Sequence, residues 1–106
     1  MELKRVVVTG IGAITPIGNT VEEYWNALID GRSGAAPITQ FDASLFKTRF
    51  ACEVKNYNPN DFFDRKEARK LDLFAQYAMV ATDEAIADSG LDMGAIDKDR
   101  FGVIWG

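Results

Sequence analysis

Four features of this 106-residue sequence hold residue types that could do chemistry: a glycine loop, one cysteine, a basic cluster and a group of late aspartates. The glycine loop lies in VVVTGIGAITPIGN, from Val6 to Asn19. Three β-branched residues followed by Thr9, Gly10 and Gly12 read as a buried strand breaking into a tight loop. Pro16, Gly18 and Asn19 read as a second turn ahead of a helix. A strand–glycine loop–helix unit can cradle a phosphate, because backbone N–H groups at a helix start point at the anion.

The spacing argues against that chemistry. A dinucleotide fingerprint needs G-x-G-x-x-G, its third glycine permitting close helix–strand packing. Gly10 and Gly12 fit the first two places, but Thr15 holds the third and the next glycine is Gly18. An acid for the ribose is needed about twenty residues on; Asp30 falls within the first helix rather than at the end of a second strand. The T-G-x-x-x-G-x-G variant fails at Ile14 and Pro16. A Walker loop needs Gly-Lys-Ser/Thr, and no lysine occurs between Arg5 and Lys47.

Cys52 is the sole cysteine and the chain has no histidine. No internal disulfide or cysteine-rich zinc site can form, and the commonest general base is missing. Cys52 sits in RFACEV, which reads as a short strand and not a helix N-terminus that would stabilise a thiolate. It is expected to be a small, partly buried side chain rather than a nucleophile. Asp92, Asp97 and Asp99 lack the order and terminal glutamate of a calcium loop and read as a solvated connection. No metal or cofactor site is expected.

The basic cluster is a local exception. Arg65, Lys66, Arg69 and Lys70 with Glu67 carry a net +3 in a chain of net −4. Such a stretch could hold an acidic partner, or it could be a solvated face. On a helix the like charges repel by a few tenths of a kcal/mol per pair. Near a helix start they also oppose the dipole by roughly 0.3–1 kcal/mol. Glu67–Lys70 and Arg69–Asp72 pairs are expected to recover part of this.

The elements that must position these groups are legible in outline. Leu3–Thr9 reads as a first strand buried on both faces, as in a parallel sheet. Thr20-Val21-Glu22-Glu23 is a capping box. Val21, Tyr24, Trp25, Leu28 and Ile29 form one apolar helix face, and Gly31 ends the helix. Phe50–Val54 reads as a short strand. Six aromatics from Phe41 to Phe63 (Phe41, Phe46, Phe50, Tyr57, Phe62, Phe63) suggest a packed excursion. Asp64 starts a second helical region that runs to Gly90 and can break near Lys70–Asp72. Its alanines permit close approach of neighbours. Phe101–Trp105 reads as a second buried strand, giving a right-handed βαβ-type crossover.

With 106 residues and 47% apolar content, one small domain can form a core. The acidic balance excludes general nucleic-acid binding. No apolar run approaches the ~20 residues of a membrane span, and no signal peptide is visible. The chain is expected to be cytoplasmic. Two parallel strands alone leave bare edges, so residues 1–106 are expected to be the first part of a larger α/β domain.

The pattern that does fit is T-G-x-G-x-x-x-P-x-G-N. In order with it come Tyr24-Trp25, Gly31-Arg32-Ser33-Gly34, Phe41-Asp42, Phe50-Ala51, Arg65-Lys66-Glu67-Ala68-Arg69-Lys70-Leu71-Asp72 and Asp88-Ser89-Gly90-Leu91. Over essentially its whole length the chain resembles β-ketoacyl–acyl-carrier-protein synthases, most closely the elongating type II branch. The resemblance implies an α/β thiolase-like fold, layered α-β-α-β-α when intact, of which residues 1–106 supply the N-terminal part of the first half. It implies decarboxylative Claisen condensation in fatty-acid elongation by a homodimer that needs no cofactor. The family's catalytic cysteine and histidines lie beyond Gly106, so this segment alone is expected to be inactive. The matching basic positions, Lys66, Arg69 and Lys70, are expected to dock acyl carrier protein. A non-catalytic chain-length-factor subunit and a free-standing carrier-binding fragment remain the alternatives.

Overall fold

Small residues and two carboxylates on one long helix organise the molecule. The computed structural model describes residues 1–105. Helix α1 spans Val21–Ile29. A hairpin of β1 (Ala35–Pro37) and β2 (Phe50–Cys52) follows, then α2 (Arg65–Lys70) and α3 (Leu73–Ser89). The Thr20 hydroxyl accepts from Glu23 N at 3.2 Å, and the Glu23 carboxylate reaches back to Asn19 N at 2.8 Å. The capping box therefore forms, its second bond landing one residue before the cap. Gly31 and Gly90 follow α1 and α3 in the left-handed region, with φ of 66° and 68°.

The hairpin is antiparallel, pairing Ala35 with Cys52, Ala36 with Ala51 and Pro37 with Phe50. Pro37 lacks an N–H and is tolerated because each strand is an edge. β2 confirms the expected strand over its first three residues. Its partner, Ala-Ala-Pro, has no β-branched residue to announce it. The expected long strands at Leu3–Thr9 and Phe101–Trp105 are not formed; neither segment pairs with another strand. Val6 and Val8 are 90% and 83% exposed, the opposite of the burial expected from three consecutive valines. With no partner strand on either side, β propensity alone cannot build a ladder.

Gly10 and Gly12 do not make the expected tight loop. Neither has positive φ, and the turn itself comes later. Thr15 N donates to Gly18 O at 2.8 Å and Gly18 N to Thr15 O at 3.2 Å, with Pro16 and Ile17 between. The two glycines instead let the backbone lie against α3. A Cβ on Gly10 would meet the Ala85 carbonyl oxygen and sit 2.6 Å from Ser89 N; one on Gly12 would meet the Ala81 carbonyl oxygen. Ala81, Ala85 and Ser89 fall at i, i+4 and i+8, a row of small side chains along one face of the helix. The alanines of α3 thus serve close packing.

Charge completes the attachment. Asp88 Oδ2 accepts from Ile11 N at 3.0 Å. Glu84 accepts from Ala13 N at 2.8 Å through Oε1 and from Val21 N at 3.1 Å through Oε2. One carboxylate therefore ties the glycine segment and the start of α1 to α3. Lys55 secures the other side of the turn, its ammonium donating to the carbonyls of Pro16, Gly34 and Glu53 at 3.2, 2.7 and 3.0 Å.

The apolar interior is small. Ala27, Ala43, Val80 and Ala81 are the buried apolar residues among those described. The expected apolar face of α1 is largely open, with Trp25 at 61% and Ile29 at 65% exposure. The aromatic excursion divides into separate contacts, a Phe41–Phe46 edge contact at 5.8 Å and a cluster around Tyr57. The radius of gyration, 17.4 Å, exceeds the ~13 Å of a compact 100-residue domain.

Replacing Gly12 with alanine in the full-length protein tests the backbone contact. The inserted methyl should cost about 1–3 kcal/mol or more, as overpacking does, measured by denaturant unfolding. A neutral substitution would mean that the segment does not lie against α3.

Candidate functional site

The basic cluster lies on α2, a helix held at both ends by side chains. Asp64 Oδ1 accepts from Lys66 N and Glu67 N, each at 2.8 Å, capping the start. The helix ends at Lys70, because Leu71 is extended with φ −110° and ψ 129°. This is the break expected near Lys70–Asp72. Arg65 and Lys66 are therefore in the first turn. Arg69 and Lys70 are in the last turn, where cations favour the dipole rather than opposing it. The short helix thus removes the dipole penalty from two of the four cations.

All four basic side chains are exposed. Among the described residues the one ion pair is Arg32–Asp30 at 3.1 Å, so the expected Glu67–Lys70 and Arg69–Asp72 pairs do not form. The cluster is thus an open, unneutralised cationic surface on an acidic chain.

The far end of α2 is fixed from α3. Gln76, at 4% exposure, donates through Nε2 to Ala68 O and Leu71 O, both at 3.0 Å. These carbonyls lie where the helix runs out of its own N–H partners. Gln76 Oε1 accepts from the Tyr57 hydroxyl at 2.6 Å. Tyr57 stacks on Phe62 at 5.9 Å and meets Tyr77 edge-on at 5.1 Å. Burial first, then Tyr77, pushes the Tyr57 hydroxyl above its ordinary value of 10.0. Burial, then the Glu53 charge, raises Tyr77 likewise.

The other sequence features have local structural roles. In the glycine segment, the amides of Ile11 and Ala13 are engaged by carboxylates, whose charge also repels a phosphate. Geometry and motif spacing therefore agree in excluding a phosphate cradle. Cys52 is exposed on β2 rather than partly buried. Asp92 and Asp97 accept from Gly94 N and Asp99 N at 2.9 and 3.2 Å, capping turns in the acidic connection. No group of three or more potential metal ligands comes together among the described residues. Lys55, beside a cleft of about 710 Å³ near the Thr15–Gly18 turn, already serves backbone carbonyls. Sequence reading missed Gln76, Glu84 and Asp88, because a polar residue on a helix looks the same whether it faces water or caps a neighbour.

The whole segment has relatives among known proteins. Residues 3–106 match the family model for the N-terminal domain of β-ketoacyl synthase. The chain belongs to the β-ketoacyl synthase family. It is 50% identical to a 3-oxoacyl-[acyl-carrier-protein] synthase 2 from Synechocystis sp., a match covering the whole chain and 26% of the relative. It is 46% identical to the synthase 2 of Coxiella burnetii, with the same coverage. A solved structure, the ishigamide ketosynthase/chain length factor, superposes with a TM-score of 0.69 at 40% identity, covering 83% of this chain and 22% of that one. The fold class is therefore thiolase-like α/β, as the resemblance implied. The chain spans about a quarter of the length of the curated synthases it matches. No helix among the described residues is long and apolar enough to cross a membrane.

The raised Tyr57 value gives a pH signature. A group whose folded value exceeds its unfolded value stabilises the fold below the unfolded value and loses that contribution as pH climbs through the folded one. Stability should therefore decline above pH 10 as Tyr57 and Tyr77 ionise. Tyr57→Phe should lower stability near neutral pH by about 1 kcal/mol, the worth of one hydrogen bond. It should also make the alkaline decline shallower, as read by denaturation across pH. An identical alkaline profile in wild type and variant would remove Tyr57 from this role.

Proposed function

We propose that this segment is the N-terminal part of a condensing enzyme of fatty-acid elongation, the first part of its first thiolase-like domain. In this reading a cysteine thiolate attacks an acyl thioester and the carrier protein's thiol leaves. Malonyl–carrier protein then loses carbon dioxide, and its enolate attacks the enzyme-bound thioester, expelling the cysteine. The nucleophile splits one hard step into two, and two histidines assist at the enolate oxygen. Residues 1–106 contain no histidine, and Cys52 is exposed on a strand. The role of this segment is thus scaffolding and docking. The reading extends to a cytoplasmic homodimer.

The observation that carries the docking part is the open cationic surface of α2. Lys66, Arg69 and Lys70 are exposed, without ion-pair partners among the described residues, on a helix capped at both ends. An acidic carrier protein is the complementary partner. Steering of this kind acts on the association rate more than on final affinity.

A second reading rests on the solved neighbour, whose name pairs a ketosynthase with a chain length factor. A subunit of the second type would keep the scaffold and lack the nucleophile. A residue other than cysteine at the nucleophile position of the full-length protein would favour it.

Reversing charge at Lys66 and Arg69 in the full-length enzyme should raise KM for carrier-protein substrates about tenfold or more, each lost charged contact contributing ~1 kcal/mol. Turnover of short acyl thioesters that lack the carrier should stay unchanged. Equal impairment of both substrates would point to a fold defect and against docking.

A further inference from the structure

We infer that Gln76 is a positioning residue for the basic surface: from inside α3 it caps the end of α2 and so sets where Lys66, Arg69 and Lys70 point. This inference rests on the docking reading above and adds the device that aims the site.

Three observations carry it. Gln76 is the only buried polar residue among those described. Its two amide hydrogens go to Ala68 O and Leu71 O at 3.0 Å, on either side of Arg69 and Lys70 in sequence. Its oxygen is occupied by the Tyr57 hydroxyl at 2.6 Å, which leaves the amide one orientation consistent with all three bonds.

The geometry explains why a cap is needed there. A six-residue helix has few internal hydrogen bonds, and its last carbonyls have no partner within the helix. Water could satisfy them, but water would not fix the angle between α2 and α3. A buried amide anchored to Tyr57 does, because moving α2 breaks two bonds at once. Glutamate at this position could accept from Tyr57 but, when ionised, could not donate to the carbonyls. Leucine could do neither.

The test uses the full-length protein and its affinity for acyl carrier protein, with Gln76→Leu, Gln76→Glu, Lys66→Glu/Arg69→Glu and the combination of Gln76→Leu with the charge reversals. Gln76→Leu should weaken carrier binding about three- to tenfold, the scale of one or two lost neutral hydrogen bonds, and Gln76→Glu at least as much. Turnover of short acyl thioesters should not change. Added to the charge reversals, Gln76→Leu should cause no further loss, because a mis-aimed patch matters only while the patch exists. Additive losses, or an equal fall with short thioesters, would overturn the inference in favour of a general packing defect. Unchanged affinity in the Gln76 variants, with weakened binding in the charge-reversal variant, would overturn the inference and leave docking standing. Unchanged affinity in the charge-reversal variant as well would remove docking itself. If Gln76→Leu does not fold, Tyr57→Phe reads the same network. It removes only the hydroxyl on Gln76 and should give a smaller loss in the same direction; no loss would count against the inference.

Discussion

The structure depends on the backbone of residues 10–13 lying directly against α3. This contact requires glycine at 10 and 12, because any Cβ would overlap the helix carbonyls. It requires small residues at 81, 85 and 89 for the same reason. Close approach brings polar backbone to a helix face, where its amides would lose water. Glu84 and Asp88 supply the acceptors at 2.8–3.1 Å. The two Glu84 bonds are part-buried, where an unmade bond costs up to about 1–3 kcal/mol, so contact and carboxylate support each other there. Because Glu84 also holds Val21 N, the start of α1 is set by the same side chain.

The other half of α3 does for the basic surface what this half does for the glycine segment. Gln76 caps the end of α2, Asp64 caps its start, and Tyr57 locks the amide against the aromatic cluster. The long helix is therefore the common reference for both ends of the segment. Under the docking proposal, this fixed reference is what would hold the basic surface in one orientation.

Much of this was legible in the sequence, and the pattern of success has a physical cause. Helix limits at Thr20, Gly31, Asp64, the Lys70–Asp72 break and Gly90 depend on local capping chemistry, which neighbouring residues carry. The family was legible from ordered motifs, and charge alone marked the basic cluster of Arg65, Lys66, Arg69 and Lys70 as a local exception. Of the strands only β2 was, because pairing depends on partners far along the chain. Val6–Val8 has the propensity and no ladder, while Ala35–Pro37 has a ladder and no propensity. The role of Gly10 and Gly12 was misread as conformational when it is steric. Glu84 and Asp88 were invisible because their partners are backbone groups, which leave no mark in side-chain identity, and Gln76 because two of its three bonds are of the same kind.

The central functional claim is that the α2 surface meets an acidic carrier protein. Zero-length carbodiimide cross-linking of the full-length protein to acyl carrier protein, mapped by mass spectrometry, tests it most directly. This chemistry joins a carboxylate to a lysine only where the two touch. The account predicts cross-links at Lys66 and Lys70, with Lys4, Lys47, Lys55 and Lys98 largely unmodified and high salt abolishing the product. Cross-links concentrated at those other lysines, or spread evenly over all six, would contradict it.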